Sequence, residues 1–395
     1  MMTSYTRFSQ FHLAVRRKAI FGVCLALCIL GLGHSVSAQE GRIISFDAPG
    51  ADTTPGDYNG TYPSGMNTWG FITGSYQGAD TVYHGFVRSP GGKFTTFEAP
   101  GADTTAGSYN GTSPISINDF GAITGSYYDA NGFTHGFLRS PDGKFTSFDP
   151  PDVGGYGTFP KVINIEGTIV GNYTDSNYSF RAFLRSPDGT FITWVGPDAC
   201  ETNGSQGCYG SGASNINALG ITVGGYEDNN GNFVHHDFVR SPDGKLKTFD
   251  VPGAGTDSYQ GTGCPGCSTG LNQFGAIAGI YIDANSVQHG FLRTPNGKFT
   301  TFDAPGAGTG SGQGTGCPSD CSVSLNDSGA ITGTYIDANF NYHGYLRTPK
   351  GKIATVDPPG SVFTSPSGIN DSGGITGTYV DANGVYHGFV RTPDW

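Results

Sequence analysis

Tyrosine and aspartate are interleaved in the long, glycine-rich segments that separate the repeated units of this chain. The face of a tyrosine ring can stack on the CH groups of a sugar, while a neighbouring carboxylate bonds to the sugar hydroxyls. These segments therefore predict binding of a carbohydrate or a cell-surface polymer. The residues expected to contact this ligand are Tyr58, Tyr109, Tyr156, Tyr209, Tyr259, Asp52 and Asp103.

Other roles of the same residues stay open. Loop tyrosines also serve as lids over the ends of packed strands, without any ligand. Aspartate in glycine-rich loops builds turns, and as an alternative it binds Ca²⁺ together with backbone carbonyl groups. Loops of this composition suit protein contacts as well. A surface protein is therefore the alternative partner to a polysaccharide, and the chain would then be an envelope scaffold or an adhesion protein.

The six cysteines that follow residue 38 fall in three consecutive loops of this kind, two in each. An even number of cysteines in local pairs is typical of disulfides in an exported chain. Zinc held by two such pairs is the alternative. The predicted disulfides join Cys200 with Cys208, Cys264 with Cys267, and Cys317 with Cys321.

Histidine, asparagine and arginine each recur about once per repeat, which favours a structural role because a catalytic site is single and asymmetric. We expect each asparagine to cap a turn, and each arginine to pack on a strand face and bond to carbonyl groups or aspartates between repeats. We expect each histidine to bond to a neighbouring repeat. The histidines are His84, His135, His236, His289, His343 and His387, with Arg181 in the third repeat.

Common enzyme motifs give little support for catalysis. The sequence contains no His-Glu-x-x-His motif, and no glycine-rich phosphate loop lies between a predicted strand and a helix. A hydrolase or lyase is nevertheless an alternative, because the fourth repeat departs from the others. Its candidate acid and base residues are Glu201, Glu227, Asp228 and His235.

The phrase His-Gly-Phe-Leu-Arg-Ser-Pro-Asp-Gly-Lys-Phe, at 135–145, occurs seven times with small changes. Each repeat contains four short runs of alternating β-branched and aromatic residues, separated by turn sequences. Four strands in about fifty residues is the size of a propeller blade. One marker position recurs at Phe46, Phe97, Phe148, Trp194, Phe249, Phe302 and Val356.

The seventh repeat stops before its fourth strand, and residues 42–47 align without gaps on fourth strands such as 298–303. A strand from the beginning of the chain would complete the last repeat and cover its open edge. We therefore predict an all-β chain in which residues 39–395 form one seven-bladed β-propeller of four-stranded blades. Residues 42–47 are expected to close its last blade.

The recurring Ile-Asn-x-x-Gly-x-Ile-x-Gly-x-Tyr pattern, followed by His-Gly-Phe, resembles the bacterial extracellular HAF repeat. Arg181-Ala182-Phe183 matches the middle and last letters of that name, whereas most other copies have glycine in the middle. The resemblance covers all seven repeats. It implies an exported bacterial protein and carries no established reaction or ligand.

Residues 1–38 have the features of a signal peptide. Arg16, Arg17 and Lys18 precede the apolar run 19–33, and small residues at 36–38 suit a cleavage site. We expect a secreted protein, extracellular or periplasmic, that is monomeric and not inserted in a membrane. Loss of this segment makes the formal charge of −11 more negative. Such a charge argues against nucleic acid as a partner.

Overall fold

The computed structural model describes residues 41–56, 59–200, 210–229, 233–263, 267–317 and 322–393. The chain divides into two units, Met1–Ala38 and Gln39–Trp395. The predicted signal peptide lies outside the described residues. The described residues form strands and turns without an α-helix. None of the described residues belongs to a helix long and apolar enough to cross a membrane.

Each repeat begins with an inner strand, and every further strand of the repeat pairs antiparallel with the one before it. After β1 (Arg42–Phe46), the first three repeats contain β2 (Gly60–Met66), β3 (Ile72–Gln77), β4 (Tyr83–Arg88), β5 (Phe94–Phe97), β6 (Thr112–Ile117), β7 (Ile123–Tyr128), β8 (Thr134–Arg139), β9 (Phe145–Phe148), β10 (Val153–Ile163), β11 (Ile169–Asp175), β12 (Phe180–Arg185) and β13 (Phe191–Trp194).

The later repeats follow the same order of strands. They contain β14 (Ser211–Ile216), β15 (Thr222–Glu227), β16 (His235–Arg240), β17 (Leu246–Phe249), β18 (Gly261–Thr262), β19 (Gly270–Leu271), β20 (Ile277–Ile282), β21 (Gln288–Arg293), β22 (Phe299–Phe302), β23 (Gly314–Thr315), β24 (Ser324–Leu325), β25 (Ile331–Ile336), β26 (Tyr342–Arg347), β27 (Ile353–Thr355), β28 (Phe363–Ile369), β29 (Ile375–Val380) and β30 (Tyr386–Thr392).

The inner strand is interrupted in the fifth and sixth repeats. β18 and β19 both pair with β20, and β23 and β24 both pair with β25. Cys267 therefore lies between two pieces of one inner strand, as does Cys317, and not in a loop that precedes the strand as we predicted. Antiparallel pairing with β20 resumes after the insertion, which explains why the sheet tolerates it.

Every repeat buries an apolar cluster between its own strands and the fourth strand of the preceding repeat. Ile72 and Phe86, both fully buried, pack with Tyr76 and with Phe46 of β1. Burial of each such side chain contributes roughly 1.5–3 kcal/mol to folding. The alternation of apolar residues in the strands thus builds a core that joins neighbouring repeats.

A row of asparagines also connects the repeats. The Oδ1 atom of Asn67 accepts a hydrogen bond from the N–H of Phe71 at 2.9 Å, so it caps its turn as predicted. Its Nδ2 atom donates to the carbonyl of Asn118 in the next repeat at 3.1 Å, a link that the sequence did not reveal. The other asparagines repeat this donation, and the last donates to the carbonyl of Thr68: Asn118, Asn164, Asn217, Asn272, Asn326 and Asn370.

The first strand pairs with the last. β1 lies antiparallel to β30, with Arg42 opposite Thr392 and Phe46 opposite Gly388. Gly60, at the start of β2, forms a parallel bridge to Tyr386 of β30. A Cβ atom on Gly60 would lie 1.8 Å from the Tyr386 carbonyl oxygen, so this approach requires glycine.

Because consecutive strands of a repeat are antiparallel, the segments that connect them lie alternately at two opposite ends of the sheets. We call one end the long-loop face. It holds the hairpins between second and third strands, such as 129–133, and the connections to the next repeat, such as 98–111. We call the other end the short-turn face. It holds the turns after the first and third strands of each repeat, such as 67–71 and 89–93.

Candidate functional site

Five aromatic residues of the long-loop face have a left-handed backbone conformation. A residue other than glycine pays about 1–3 kcal/mol for this conformation, and such outliers collect at functional sites. The residues and their φ angles are Tyr109 (58°), Tyr178 (64°), Phe233 (53°), Tyr259 (61°) and Phe340 (62°).

Glycine occupies the same positions in other repeats. Gly132 and Gly384 stand where the third and sixth hairpins have Tyr178 and Phe340, and they have φ angles of 78° and 82°. Gly312, with a φ angle of 76°, stands where the preceding connection has Tyr259. The fold is thus built without strain from glycine, and the aromatic side chains are not needed for the turn.

These side chains also gain little from burial. Tyr109 is 63% exposed, Phe340 is 54% exposed, and Tyr178 and Tyr259 are each 50% exposed. Half or more of each of these four rings stays exposed, so burial offsets only part of the backbone strain. Rings that are fixed in position with one face open to solvent are suited to stack on a ligand.

Three of the five rings, Tyr178, Phe233 and Tyr259, contact another ring. Tyr156 lies edge-on to Tyr178, with ring centroids 5.6 Å apart. Phe233 stacks on Tyr259 with centroids 6.2 Å apart. In both pairs one ring comes from a hairpin; the other comes from the beginning of β10 for Tyr156 and from the connection before β18 for Tyr259. The pairs are therefore small aromatic platforms with defined orientation.

The two predicted aspartates organise their own loops. Asp103 accepts a hydrogen bond from the N–H of Thr105 at 3.0 Å and another from Nδ2 of Asn110 at 2.8 Å. The hydroxyl of Thr105 and the amide of Asn110 lower the pKa of Asp103 to about 2. Backbone and hydroxyl hydrogen bonds from Thr54 lower the pKa of Asp52. Both carboxylates are ionised at neutral pH and lie in the loops that carry the tyrosines.

The recurring histidines bond to carboxylates, and here our expectation was partly wrong. Nδ1 of His135 lies 2.7 Å from Asp149, which follows the fourth strand of the same repeat. The imidazole stacks on Tyr127, with centroids 5.1 Å apart. Asp149 accepts a hydrogen bond from Thr158 of the next repeat at 2.5 Å. The histidine therefore reaches its neighbour through the carboxylate, not directly.

The third repeat replaces this histidine with Arg181. Nε of Arg181 donates to Asp175 in the adjacent hairpin at 2.6 Å. The residue after the fourth strand of this repeat is Val195, so the second carboxylate is missing as well. The histidine and the carboxylate that follows the fourth strand are thus replaced together in this repeat, which supports a structural role for the whole series.

The fourth repeat contains a buried polar cluster that its sister repeats lack. Nδ1 of His235 lies 3.5 Å from Glu227, and Asp237 replaces a glycine or alanine of the other repeats. Burial lowers the pKa of His235 to about 4 and raises the pKa of Asp237 well above its usual value. The three side chains are at most 4% exposed, out of reach of a ligand on the surface. Asp228, another predicted acid, is also buried; it lies 3.6 Å from Nε2 of His236 and accepts a hydrogen bond from the N–H of Val234. Glu201 lies outside the described residues.

Several predicted residues lie outside the described part of the chain. Among the ligand candidates these are Tyr58 and Tyr209, and among the cysteines Cys208, Cys264 and Cys321. The disulfide pairs therefore stay predictions. Within the described residues, no group of three or more histidines, cysteines, aspartates or glutamates has the arrangement of a metal site.

Sequence reasoning missed Tyr178 and Phe340. Both residues lie in short hairpins, whereas the predicted residues Tyr109 and Tyr259 lie in long connections between repeats. A signal was present, because both replace the last glycine of an Asp-Ala-Asn-Gly type of turn. A bulky residue at a position that prefers glycine is the pattern that would have found them.

No known protein-family profile matches this chain, and no curated protein matches it in sequence. Solved structures do match it. The β-propeller domain of the Trilobed protease from Pyrococcus furiosus has a TM-score of 0.55 and 9% identity, and the match covers 84% of this chain and 95% of that domain. A puromycin hydrolase mutant complexed with PGG has a TM-score of 0.51 and 11% identity, over 84% of this chain and 53% of the hydrolase.

A lectin, BP39L from Burkholderia pseudomallei, is more distant, with a TM-score of 0.49 and 10% identity over 90% of this chain and 98% of the lectin. Identities this low report on the fold alone. The chain is an all-β protein similar to β-propellers. The functions of these proteins differ from one another, since one fold carries many kinds of site.

Proposed function

We propose that this protein is a carbohydrate-binding module whose site lies on the long-loop face. The observation that carries the proposal is the set of exposed aromatic side chains in left-handed positions where sister repeats have glycine. Strain without a structural benefit is explained if the rings stack on a ligand. Tyr109, Tyr178, Tyr259 and Phe340 are the proposed stacking residues.

The charge of this face narrows the class of sugar. Carboxylates follow the fourth strands and open the hairpins, as Asp149 and Asp129 do in the second repeat. Asp52 and Asp103 add two ionised groups beside the tyrosines. An acidic surface repels uronates, sulfates and phosphates. The proposed ligand is therefore a neutral glycan whose hydroxyls donate to carboxylates while its CH groups contact the rings.

The architecture that would hold this site is part of the proposal. We infer a propeller of seven blades in which β1 completes the last blade. The pairing of β1 with β30 and the asparagine row that returns from Asn370 to Thr68 support it. We also propose that the chain is a secreted member of the HAF-repeat group, on the resemblance of its repeats and the composition of residues 1–38.

Binding to a panel of neutral polysaccharides, in calcium and then in chelator, tests the function. We expect saturable binding of at least one neutral glycan, lost in the double variant Tyr109→Gly, Phe340→Gly. Phe120→Ser, on the short-turn face, is the matched control and should bind like the parent. A calcium requirement would assign the ion to the loop carboxylates. No binding of any neutral glycan under either condition would refute the proposal.

A further inference from the structure

The short-turn face is basic, although the protein as a whole is acidic. Eight exposed cations lie in its turns or at the adjoining ends of the fourth strands. Apart from Arg181 and Lys161, every lysine or arginine after residue 38 belongs to this end of the sheets. The exposed cations are Arg42, Lys93, Lys144, Lys245, Lys247, Lys298, Lys350 and Lys352.

A second set of cations lies at the same end, one arginine at the end of each third strand, and five of the seven are buried. Arg88 stacks on the Phe46 ring of β1, 4.6 Å from its centroid. Burial lowers the pKa of Arg88, but an arginine remains charged at neutral pH. Five more arginines stack in the same way and, like Arg88, form no ion pair with a described carboxylate: Arg139, Arg185, Arg240, Arg293 and Arg347.

Acidic residues do not neutralise this end. The described short turns contain seven carboxylates. The same end of the sheets carries eight exposed cations and seven arginines at the ends of the third strands. Lys144 and Lys245 pair with acids at 2.8 and 2.7 Å, but such exposed pairs leave both partners open to other ions. The acids of the short turns are Asp119, Asp142, Glu166, Asp188, Asp243, Asp327 and Asp371.

Large apolar side chains project from the same face. They occupy the third position of the Asn-x-x-Gly turns, where the third, sixth and seventh repeats have Glu166, Ser328 and Ser372. The turn therefore does not require an apolar residue. The four side chains and their exposed fractions are Trp69 (67%), Phe120 (70%), Leu219 (66%) and Phe274 (70%).

These side chains occur on adjacent repeats. The N–H of Thr68, next to Trp69, donates to Asp119, next to Phe120, at 2.9 Å. Leu219 and Phe274 are related in the same way, because the N–H of Ala218 donates to Gln273 at 2.8 Å. The two turns that carry each pair are therefore bonded to each other, and lysines lie in the neighbouring turns.

We propose that the short-turn face is a second binding surface, and that its ligand is an anionic polysaccharide rich in uronate groups. Trp69, Phe120 and Phe274 stack on the sugar rings. The lysines, with the charge of the buried arginines behind them, bind the carboxylates. The surface is separate from the proposed neutral-glycan site, and the charges of the two faces select opposite classes of sugar.

Polygalacturonate and alginate, with neutral dextran as reference, are the probes for this site. We expect the purified protein to bind both polyuronates at low ionic strength, and binding to weaken steeply in 0.5 M NaCl. The triple variant Lys93→Gln, Lys144→Gln, Lys298→Gln should lose about tenfold in affinity. Phe120→Ser should lose about fivefold.

A matched control separates local charge from net charge. Ala130→Asp, Ala284→Asp, Ala382→Asp changes the net charge by the same amount on exposed hairpins of the long-loop face, and it should leave polyuronate affinity unchanged. Equal losses in both triple variants would overturn the assigned surface. No polyuronate binding, or binding of anionic lipid vesicles in its place, would overturn the assigned ligand. Neutral-glycan binding is measured separately and is unaffected by either result.

Discussion

Nδ1 of His387 lies 3.0 Å from Oδ1 of Asp47, although 340 residues separate the two in sequence. Asp47 follows β1, and His387 belongs to β30. The pair has the same geometry as His135 with Asp149 inside the second repeat, at 2.7 Å. β1 thus pairs with the third strand of the last repeat, in the same way as the fourth strands of the other repeats pair with their own third strands.

The contribution of β1 to stability can be measured with Phe46→Ala. Phe46 is nearly buried, and Arg88 stacks on its ring. Loss of a buried phenylalanine should lower the free energy of unfolding by about 3–5 kcal/mol. Thr95→Ala, on the exposed side of β5, is the control and should have little effect. A melting temperature unchanged by Phe46→Ala would contradict the packing of β1 on the first repeat.

Left-handed aromatic residues should be dispensable for folding. Phe340→Gly removes the strain of a φ angle of 62° but adds chain entropy to the unfolded state. We expect the free energy of unfolding to stay within about 1 kcal/mol of the parent value or to rise. Phe340→Ala keeps the strain and should be the less stable of the two variants in chemical denaturation. A large loss of stability in Phe340→Gly would show that the ring serves the fold.

Asp237→Asn should stabilise the protein in a pH-dependent way. Burial raises the pKa of Asp237 in the folded state. As the pH rises above the unfolded value near 3.8, the unfolded carboxyl ionises while the folded one keeps its proton, so the parent loses stability. Asparagine does not ionise and can still accept from Thr269.

Urea unfolding between pH 3.5 and pH 8 is the appropriate measurement. The gain in Asp237→Asn should be absent near pH 3.5 and should grow by about 1.4 kcal/mol per pH unit until the raised pKa is reached. His235 is present in both proteins, so its own titration cancels in the difference. A difference that does not change with pH would contradict the assignment of a buried neutral carboxyl.

The asparagine row should stabilise contacts between repeats. In Asn118→Ala, the N–H of Ala122 and the carbonyl of Asn164 each lose a partner inside the protein. Leaving such buried groups unpaired costs about 1–3 kcal/mol. Asn131→Ala, in an exposed hairpin, is the same substitution without buried partners and should cost less than about 0.5 kcal/mol. Equal melting temperatures for the two variants would refute the role of the row.

Much of the fold was predictable because the repeat constrains it. Turn sequences such as Ser140-Pro141-Asp142-Gly143 mark the ends of strands, and strand residues such as Ile123 and Phe137 alternate as a buried face requires. Contacts between repeats were less accessible. A hydrogen bond from Asn67 to Asn118 depends on how adjacent sheets are placed, which a local pattern does not specify.

The candidate site was predictable only in part. Tyr109 and Tyr259 were found because tyrosine near aspartate suggests sugar binding, and both are exposed. Tyr178 and Phe340 were missed because their segments were interpreted only as tight turns. The left-handed backbone conformation that sets them apart is known only from the structure. The charge of the short-turn face was hidden by the acidic total. It emerges when the strand order assigns each lysine to one end of the sheets.

Calorimetric titration of a neutral oligosaccharide from the panel into the parent protein and into Tyr109→Gly, Phe340→Gly tests the central claim most directly. The account predicts saturable binding to the parent and a loss of at least about tenfold in affinity in the variant, with unfolding curves that remain comparable. Equal affinity in the two proteins would contradict a carbohydrate site on the long-loop face.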